Sequence, residues 1–455
     1  MTVRTGKTTK IHFISIGGSA MHNLALTLHD KGVRVTGSDD IIYDPSKSRL
    51  EKAGLLPGRF GWFPEKITPD LDAVIVGMHA RTDNPELLRA KALGLNIYSY
   101  PEYLYEHAKN KKRIVIAGSH GKTTLTAMVL YVLHQAGKDV DYMVGSQLEG
   151  FDRMIRLTDD AEYMVIEGDE YPTSPLDPRP KFFHYKPHFT VITGIALDHI
   201  NKFENWEKYT EQFEKYIQTV EPGGVLVYFE DDERLNKIAG LRSDIKRIPY
   251  STPPYSIENG IYYLHTPQEK IPLKIFGEHN MQNLEGARKL LNQVGIDDRT
   301  FFTHIRDFKG ASMRLEKLYE DDNFTLIRDF AHAPSKVRAS VKAVRTLYPD
   351  RKLYAVLEIH TYSSLNKNFL PEYKDALHPA DVASVFYSPE AVKIKRLEPI
   401  EPEFIKSAFN REDLHVFTQP EDFQAFVYNL NKNSAVLLLM SSGHLGGLDL
   451  EKLKP

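Results

Sequence analysis

Lys122, Thr123 and Thr124 close a glycine-bracketed loop in residues 113–128, RIVIAGSHGKTTLTAM, and residues of these types at this spacing suit the gripping of phosphate groups. The apolar stretch Ile114-Val115-Ile116 reads as a strand that delivers the chain to a tight turn. Gly118 and Gly121 let backbone N–H groups approach an anion without a Cβ in the way, and the following helix points its positive end at the same spot. Lys122 offers a point charge to the outer phosphates, and the Thr123 hydroxyl offers an oxygen to magnesium. ATP is therefore the leading ligand of the loop formed by Gly118, Ser119, His120, Gly121, Lys122, Thr123 and Thr124. The chain carries its own control: Gly6-Lys7-Thr8-Thr9 has nearly the same letters but no apolar strand before it, and it reads as a solvated segment without function.

Three carboxylates, Glu167, Asp169 and Glu170, follow the apolar run that ends Val165-Ile166. Along an extended chain Glu167 and Asp169 project to one side and Glu170 to the other. The carboxyl ends of strands are where open α/β sheets hold ligands, so Glu167 reads as a magnesium ligand. His199, beside Asp198, follows the apolar residues 189–193 by a similar distance and reads as a second ligand. Near the N-terminus, residues 14–21 form a glycine turn, with Gly17 and Gly18, between a strand and a helix. Ser38-Asp39 ends the next strand roughly 20 residues on, where a carboxylate can meet a ribose hydroxyl. Residues 277–283, GEHNMQN, open a helix and taken alone read as its cap.

These groups need a scaffold of several sheets. At ~150 residues per domain, 455 residues suggest about three domains. Strand-like and helix-like runs alternate: strands at 11–16, 33–36, 73–76 and 96–98 with helices at 21–30 and 85–93 come first. Strands at 163–167, 189–193 and 225–228, a helix at 206–218, a hairpin within 261–275 and a helix at 281–294 follow. Strands at 324–328, 353–357, 382–386 and 435–440 with a helix at 335–347 complete the pattern. Such alternation predicts doubly wound parallel sheets, an α/β class. A charged joint at 106–113 marks the first boundary, and residues 306–310 the second.

Composition is that of an ordinary globular protein, 42% hydrophobic and 26% charged. With 58 Lys plus Arg against 61 Asp plus Glu there is no footprint for nucleic acid. The absence of cysteine excludes disulfides and thiolate metal sites. Neither a secretion signal nor a run of membrane-spanning length is evident, so the expected location is the cytoplasm, with no membrane partner.

The ordered set AGSHGKTT, EGDE, LDH, GEHNMQN, MRLE and DFAHAP resembles the Mur ligase family, ATP-dependent ligases that build the peptide stem of bacterial cell-wall precursors. The resemblance spans nearly the whole chain. It implies three α/β domains: a Rossmann-like domain over residues 1–110 that binds UDP-N-acetylmuramate, a central P-loop ATPase-like domain over 111–308, and a Rossmann-like C-terminal domain over 309–455 that brings an amino acid or peptide. It also implies an ATP-dependent amide ligase using magnesium, in which Lys122, Glu167 and His199 are catalytic and Thr123, Glu167 and His199 hold the metal. Asn283 would face the nucleotide base, Arg314 a phosphate and Asp329 the ribose. Gly17, Gly18, Ser38 and Asp39 would contact the UDP-sugar, and His332 and His360 the acceptor.

Two branches of that family use UDP-N-acetylmuramate itself, one adding L-alanine and the other the tripeptide L-alanyl-γ-D-glutamyl-meso-diaminopimelate. Tyr171, Thr173, Asp177, Arg179, Lys181 and Phe182 in EGDEYPTSPLDPRPKFF fit the tripeptide branch. Glu358-Ile359-His360-Thr361-Tyr362-Ser363-Ser364 leans the other way: His360 and Tyr362 match the alanine-adding branch, with Thr361 at its arginine. Gly194 stands where the family usually has Asn, Ala333 at a frequent second His, and Ser15 and Ala20 at glycines of the opening turn. The tripeptide reading is preferred because its matching segment is longer. A reading of another class, a UDP-sugar-binding protein without turnover, is weakened by the intact Lys122, Thr123, Glu167 and His199, and a nicotinamide-dependent dehydrogenase leaves the phosphate loop unexplained.

Overall fold

Short apolar runs buried on both faces give parallel strands when helices cover the sheet, and among the described residues three sheets are largely of this kind. The computed structural model describes residues 8–455 other than 79, 147, 149, 152, 175 and 197–205. The chain divides into one unit of Met1–Gly118, Leu133–Thr193 and Thr210–Pro249, and another of Ser119–Val132, Gly194–Tyr209 and Tyr250–Pro455.

The first unit opens with β1 (Lys10–Ile14), β2 (Arg34–Ser38), β3 (Ala73–Val76) and β4 (Ile97–Ser99), parallel in the order β2-β1-β3-β4. The helix Ser19–Asp30 returns the chain from β1 to β2, after which the chain crosses to β3 on the far side of β1. The strand order therefore reverses beside β1, which opens a crevice at its carboxyl end.

The second sheet of this unit comprises β5 (Lys112–Ala117), β6 (Val140–Met143), β7 (Ile155–Arg156), β8 (Tyr163–Glu167), β11 (Phe189–Ile192), β12 (Val225–Phe229) and β13 (Lys246–Tyr250) in the order β13-β12-β11-β5-β8-β6-β7. A short hairpin, β9 (Pro172–Ser174) with β10 (Asp177–Pro180), stands after β8. The four residues Ile114 to Ala117 of the central strand β5 are wholly buried. Its parallel neighbours β8 and β11 end beside it, which gathers the ends of three strands at one edge.

In the second unit β14 (Tyr255–Glu258), β15 (Ile261–His265) and β16 (Lys270–Leu273) form an antiparallel sheet, where the sequence predicts a single hairpin. The additional strand follows from Asn259-Gly260, whose φ values of 51° and 75° suit a tight two-residue turn. The last sheet has the order β17-β18-β22-β19-β20-β21, comprising β17 (Glu316–Glu320), β18 (Phe324–Asp329), β19 (Lys352–Glu358), β20 (Val382–Phe386), β21 (His415–Phe417) and β22 (Ala435–Met440). Only its edge strand β17 runs antiparallel to its neighbour. A core of Leu326, Tyr354, Val356, Leu437 and Leu439 packs on Phe386 and Phe423 on one face.

The helix Tyr100–Ala108 extends into the charged joint at 106–113, held at its start by a reciprocal cap between Ser99 and Glu102, and Arg113 is only 2% exposed.

Candidate active site

The phosphate loop leaves β5 at Ala117 and enters the helix Lys122–Gln135. Gly118 and Gly121 have φ of 122° and 74°, in the region that favours glycine. A Cβ at Gly118 would meet Thr193 Oγ1 at 2.1 Å, and one at Gly121 would meet Asn283 Oδ1 at 2.2 Å. Asn283 thus packs directly on the loop, from the distant helix Glu278–Leu291. Ser119 Oγ lies 2.7 Å from Tyr209 Oη and accepts the Ala196 N–H, while its own N–H donates to the Gly194 carbonyl at 3.0 Å. Gly194 has φ of 136°, so the departure from Asn suits a backbone that turns its carbonyl onto the loop. His120 Nε2 lies 2.8 Å from Ser335 Oγ, at the start of the helix Pro334–Leu347. Lys122, Thr123 and Thr124 are all buried.

Glu167 is the last residue of β8 and is buried, and its Oε2 accepts the Gly145 N–H at 2.8 Å. Gly145 admits it: a Cβ there would lie 3.0 Å from Glu167 Oε1. The carboxylates after β8 are not a solvated turn, since Glu170 is wholly buried and Asp169 pairs with Lys181 at 3.4 Å. His199 lies outside the described residues. The Glu167 carboxylate in the first unit and the Thr123 hydroxyl in the second are each hard oxygen donors, of the type magnesium takes.

Arg314 and Asp329 meet around an unusual turn. Met313 and Leu315, on either side of Arg314, both have positive φ, of 57° and 47°. Non-glycine residues held there are strained, and such strain collects at functional sites. The Arg314 guanidinium lies 4.4 Å over the Phe330 ring. Asp329 is buried, accepting the Ser340 hydroxyl through Oδ2 and the Leu315 N–H through Oδ1. It faces His279, whose imidazole burial holds toward the neutral form while the Asp329 charge opposes that shift.

Of the acceptor candidates, His332 lies 2.9 Å through Nδ1 from the Phe330 carbonyl, and the Tyr373 hydroxyl holds its own carbonyl. His360 lies just past β19, its Nε2 3.5 Å from Ser442 Oγ and its Nδ1 buried with no hydrogen-bond partner. Burial lowers the His360 pKa, Glu358 opposes, and Lys395 and His444 reinforce the lowering. Glu358 is tied down by the Ser441 hydroxyl and by the Leu445 and Gly446 N–H groups.

The opening turn is set where the strand order reverses. Ser15, in place of a glycine, holds φ of 68° and donates its N–H to the Ser38 carbonyl at 2.9 Å. Ser38 is buried beneath Lys66, whose Nζ donates to its Oγ at 3.0 Å. Gly17 donates its N–H to Asp39 Oδ2 at 2.7 Å, and a Cβ on Gly17 would crowd that same oxygen at 2.9 Å. Gly18 is the N-cap of the helix Ser19–Asp30. Asp39 therefore spans the turn itself, a role that strand-end position alone does not reveal.

Burial pushes the Asp39 pKa up to about 6; the Gly17 N–H opposes the shift and Asp40 adds to it. An unfolded carboxyl titrates near about 4, so the folded state holds this proton more tightly. The contribution of Asp39 to stability is accordingly lost as pH rises through about 4 to 6, with no further loss from this group above that window. Asp39→Asn keeps an oxygen acceptor for Gly17 and escapes the ionisation. It should melt above wild type at pH 7.5, with the gap closing toward pH 4.5; a pH-independent gap in paired melts rejects the shift.

Models of the Mur ligase catalytic domain, the Mur ligase middle domain and the Mur ligase glutamate ligase domain match residues 10–112, 116–290 and 313–443. Together with the α/β sheets and the phosphate loop, these define an ATP-dependent amide ligase. The chain belongs to the Mur ligase family. It is 30% identical over 449 residues to the UDP-N-acetylmuramate–L-alanine ligase of Carboxydothermus hydrogenoformans, covering 95% of this chain and 94% of that relative. The crystal structure of a murein peptide ligase from Psychrobacter arcticus matches with a TM-score of 0.68 at 22% identity over 98% of each chain. That of a UDP-N-acetylmuramate–alanine ligase from Thermotoga maritima gives 0.72 at 22% over 96% of each. Among the described residues, no helix is long and apolar enough to cross a membrane.

Proposed function

We propose that this chain joins the lactyl carboxylate of UDP-N-acetylmuramate to the amine of L-alanyl-γ-D-glutamyl-meso-diaminopimelate. A carboxylate is a poor acyl donor because its leaving group would be oxide. It is activated by attack on the γ-phosphate of ATP, giving an acyl phosphate and ADP. The amine then adds to the acyl carbon, and the tetrahedral intermediate expels phosphate. The protein has little covalent work here; positioning and charge neutralisation dominate. Lys122 serves the β- and γ-phosphates, Thr123 and Glu167 hold magnesium with His199, Asn283 serves the nucleotide, and Arg314 and Asp329 serve phosphate and ribose. Magnesium, when bound, neutralises charge on the transferring group. Gly17, Gly18, Ser38 and Asp39 form the UDP-sugar end, and His332 and His360 the acceptor end.

The tripeptide reading rests on one observation: the residues that match the tripeptide branch form a single bonded hairpin behind Glu167. The Lys181 N–H donates to the Tyr171 carbonyl at 3.1 Å and the Lys181 ammonium lies 5.1 Å over the Tyr171 ring. The Thr173 hydroxyl donates to the Arg179 carbonyl at 2.8 Å, and Asp177 pairs with Arg179 at 2.8 Å. Phe182 is wholly buried, stacked on Tyr216 at 4.3 Å. A second reading, L-alanine as acceptor, is favoured by the 30% identical relative of that name and by His360 and Tyr362.

With UDP-N-acetylmuramate, ATP and magnesium, kcat/KM for the tripeptide should exceed that for L-alanine by on the order of 10² or more, because a site satisfying several extra polar groups rejects a substrate lacking them. Phosphate release is the readout. Robust turnover with L-alanine and none with tripeptide would reverse the assignment, and no release with either would favour the binding protein without turnover.

A further inference from the structure

A cleft of about 470 Å³ lies in the second unit between the antiparallel sheet β14-β15-β16 and the edge strand β17. None of Lys122, Asn283, Arg314 or Asp329 lines it, so it is separate from the nucleotide residues. Its volume falls within the ~300 to 1,000 Å³ of small-molecule sites. Tyr262, Leu273, Phe276 and Leu347 supply buried apolar walls, and Ile261, 41% exposed, stands at its rim.

Three cations line the cleft, and two are already engaged. Lys274 pairs with Asp307 at 2.6 Å and Lys317 with Glu320 at 2.8 Å. Arg306 is different: its Nη2 is 3.8 Å from Glu269, and its Nε is buried without a hydrogen-bond partner. The Arg306 side chain is 41% exposed, so its charge stays hydrated, but the Nε–H itself is withheld from water, and an acceptor reaching it from the cleft would satisfy it. The guanidinium fork matches a planar carboxylate. Asp307 and Glu320 in the same lining would repel a dianion, which disfavours a phosphate monoester.

We propose that this cleft binds a small organic monocarboxylate with a flat apolar body, its carboxylate against Arg306 and its body on Tyr262, Leu273 and Phe276. The occupant would touch both the connector that carries Arg306, just after the helix Asp298–Ile305, and the first strand of the six-stranded sheet.

The test uses the full chain without nucleotide, with 2-naphthoate as the probe and uncharged 2-naphthamide as its control, by titration calorimetry. The naphthoate should bind saturably and the amide about tenfold or more weaker, and Arg306→Gln should weaken the naphthoate by about tenfold while leaving the amide unchanged. Arg306→Lys, which keeps charge but loses the fork, should fall between. Ile261→Trp should block both probes at the rim, and it carries the test if Arg306→Gln fails to melt cooperatively. No saturable naphthoate binding, equal affinity for the two probes, or binding indifferent to both Arg306→Gln and Ile261→Trp would overturn the site.

Discussion

Lys122→Ala should melt like wild type while its phosphate release falls by about 10³-fold, the scale on which a charge aimed at a transferring phosphoryl group matters. Lys122 is the first residue of the helix Lys122–Gln135 and is only 9% exposed. Both features are unfavourable for a structural lysine. The positive end of the helix macrodipole repels a cation, and burial removes its hydration. A lysine at that position suits an anion that the same loop of N–H groups also attracts. Alanine removes the repulsion and favours the helix, so the fold should not suffer. Parallel melts and steady-state assays check both halves. A folded variant turning over at near the wild-type rate would remove Lys122 from the chemistry.

Where burial is uniform along a run, sequence locates the element well. The bounds expected for β3, β8, β20 and β22 and for the helix Trp206–Gln218 agree with those observed, because parallel strands covered on both faces read as unbroken apolar stretches. The phosphate loop was legible for a related reason: strand, glycines, lysine and helix are consecutive. What surrounds that loop was not. Ser335 reaches His120 across 215 residues, and Gly145 admits Glu167 across 22, and no local pattern marks either partner. The Asn283 amide was assigned to the nucleotide base only through family resemblance; its packing on Gly121 ties it to the phosphate loop as well. Within the charged stretch at 106–113, Lys109 and Lys112 reach solvent, but Lys111 is buried against Asp141 and Arg113 among backbone carbonyls, and their letters do not disclose that.

Arg113→Met should lower the thermal midpoint by about 10 °C, from a loss of about 3–5 kcal/mol. The guanidinium of Arg113 donates through Nε to the carbonyls of Tyr185 and Lys186 at 2.8 and 3.0 Å. Through Nη1 it donates to those of Ala108, Lys109 and Lys111, each at 3.0 Å, and through Nη2 to Glu221 at 2.9 Å. Ala108 ends the helix Tyr100–Ala108, so two of these acceptors are carbonyls that no further helical N–H can reach. Methionine fills the space but takes the guanidinium donors from the carbonyls, of which that of Ala108 alone keeps a backbone partner in the Lys111 N–H, and leaves Glu221 without its cation; removing one side of a buried polar network costs more than the network contributes when intact. Lysine, with three donors on one nitrogen, cannot serve acceptors spread around a planar fork, so Arg113→Lys should recover part of the loss and no more. The two largest effects are then opposite in kind: Lys122→Ala gives a stable protein that does not turn over, and Arg113→Met a fragile one whose folded fraction does. A midpoint for Arg113→Met within about 2 °C of wild type would show that water satisfies those carbonyls as well as the guanidinium does.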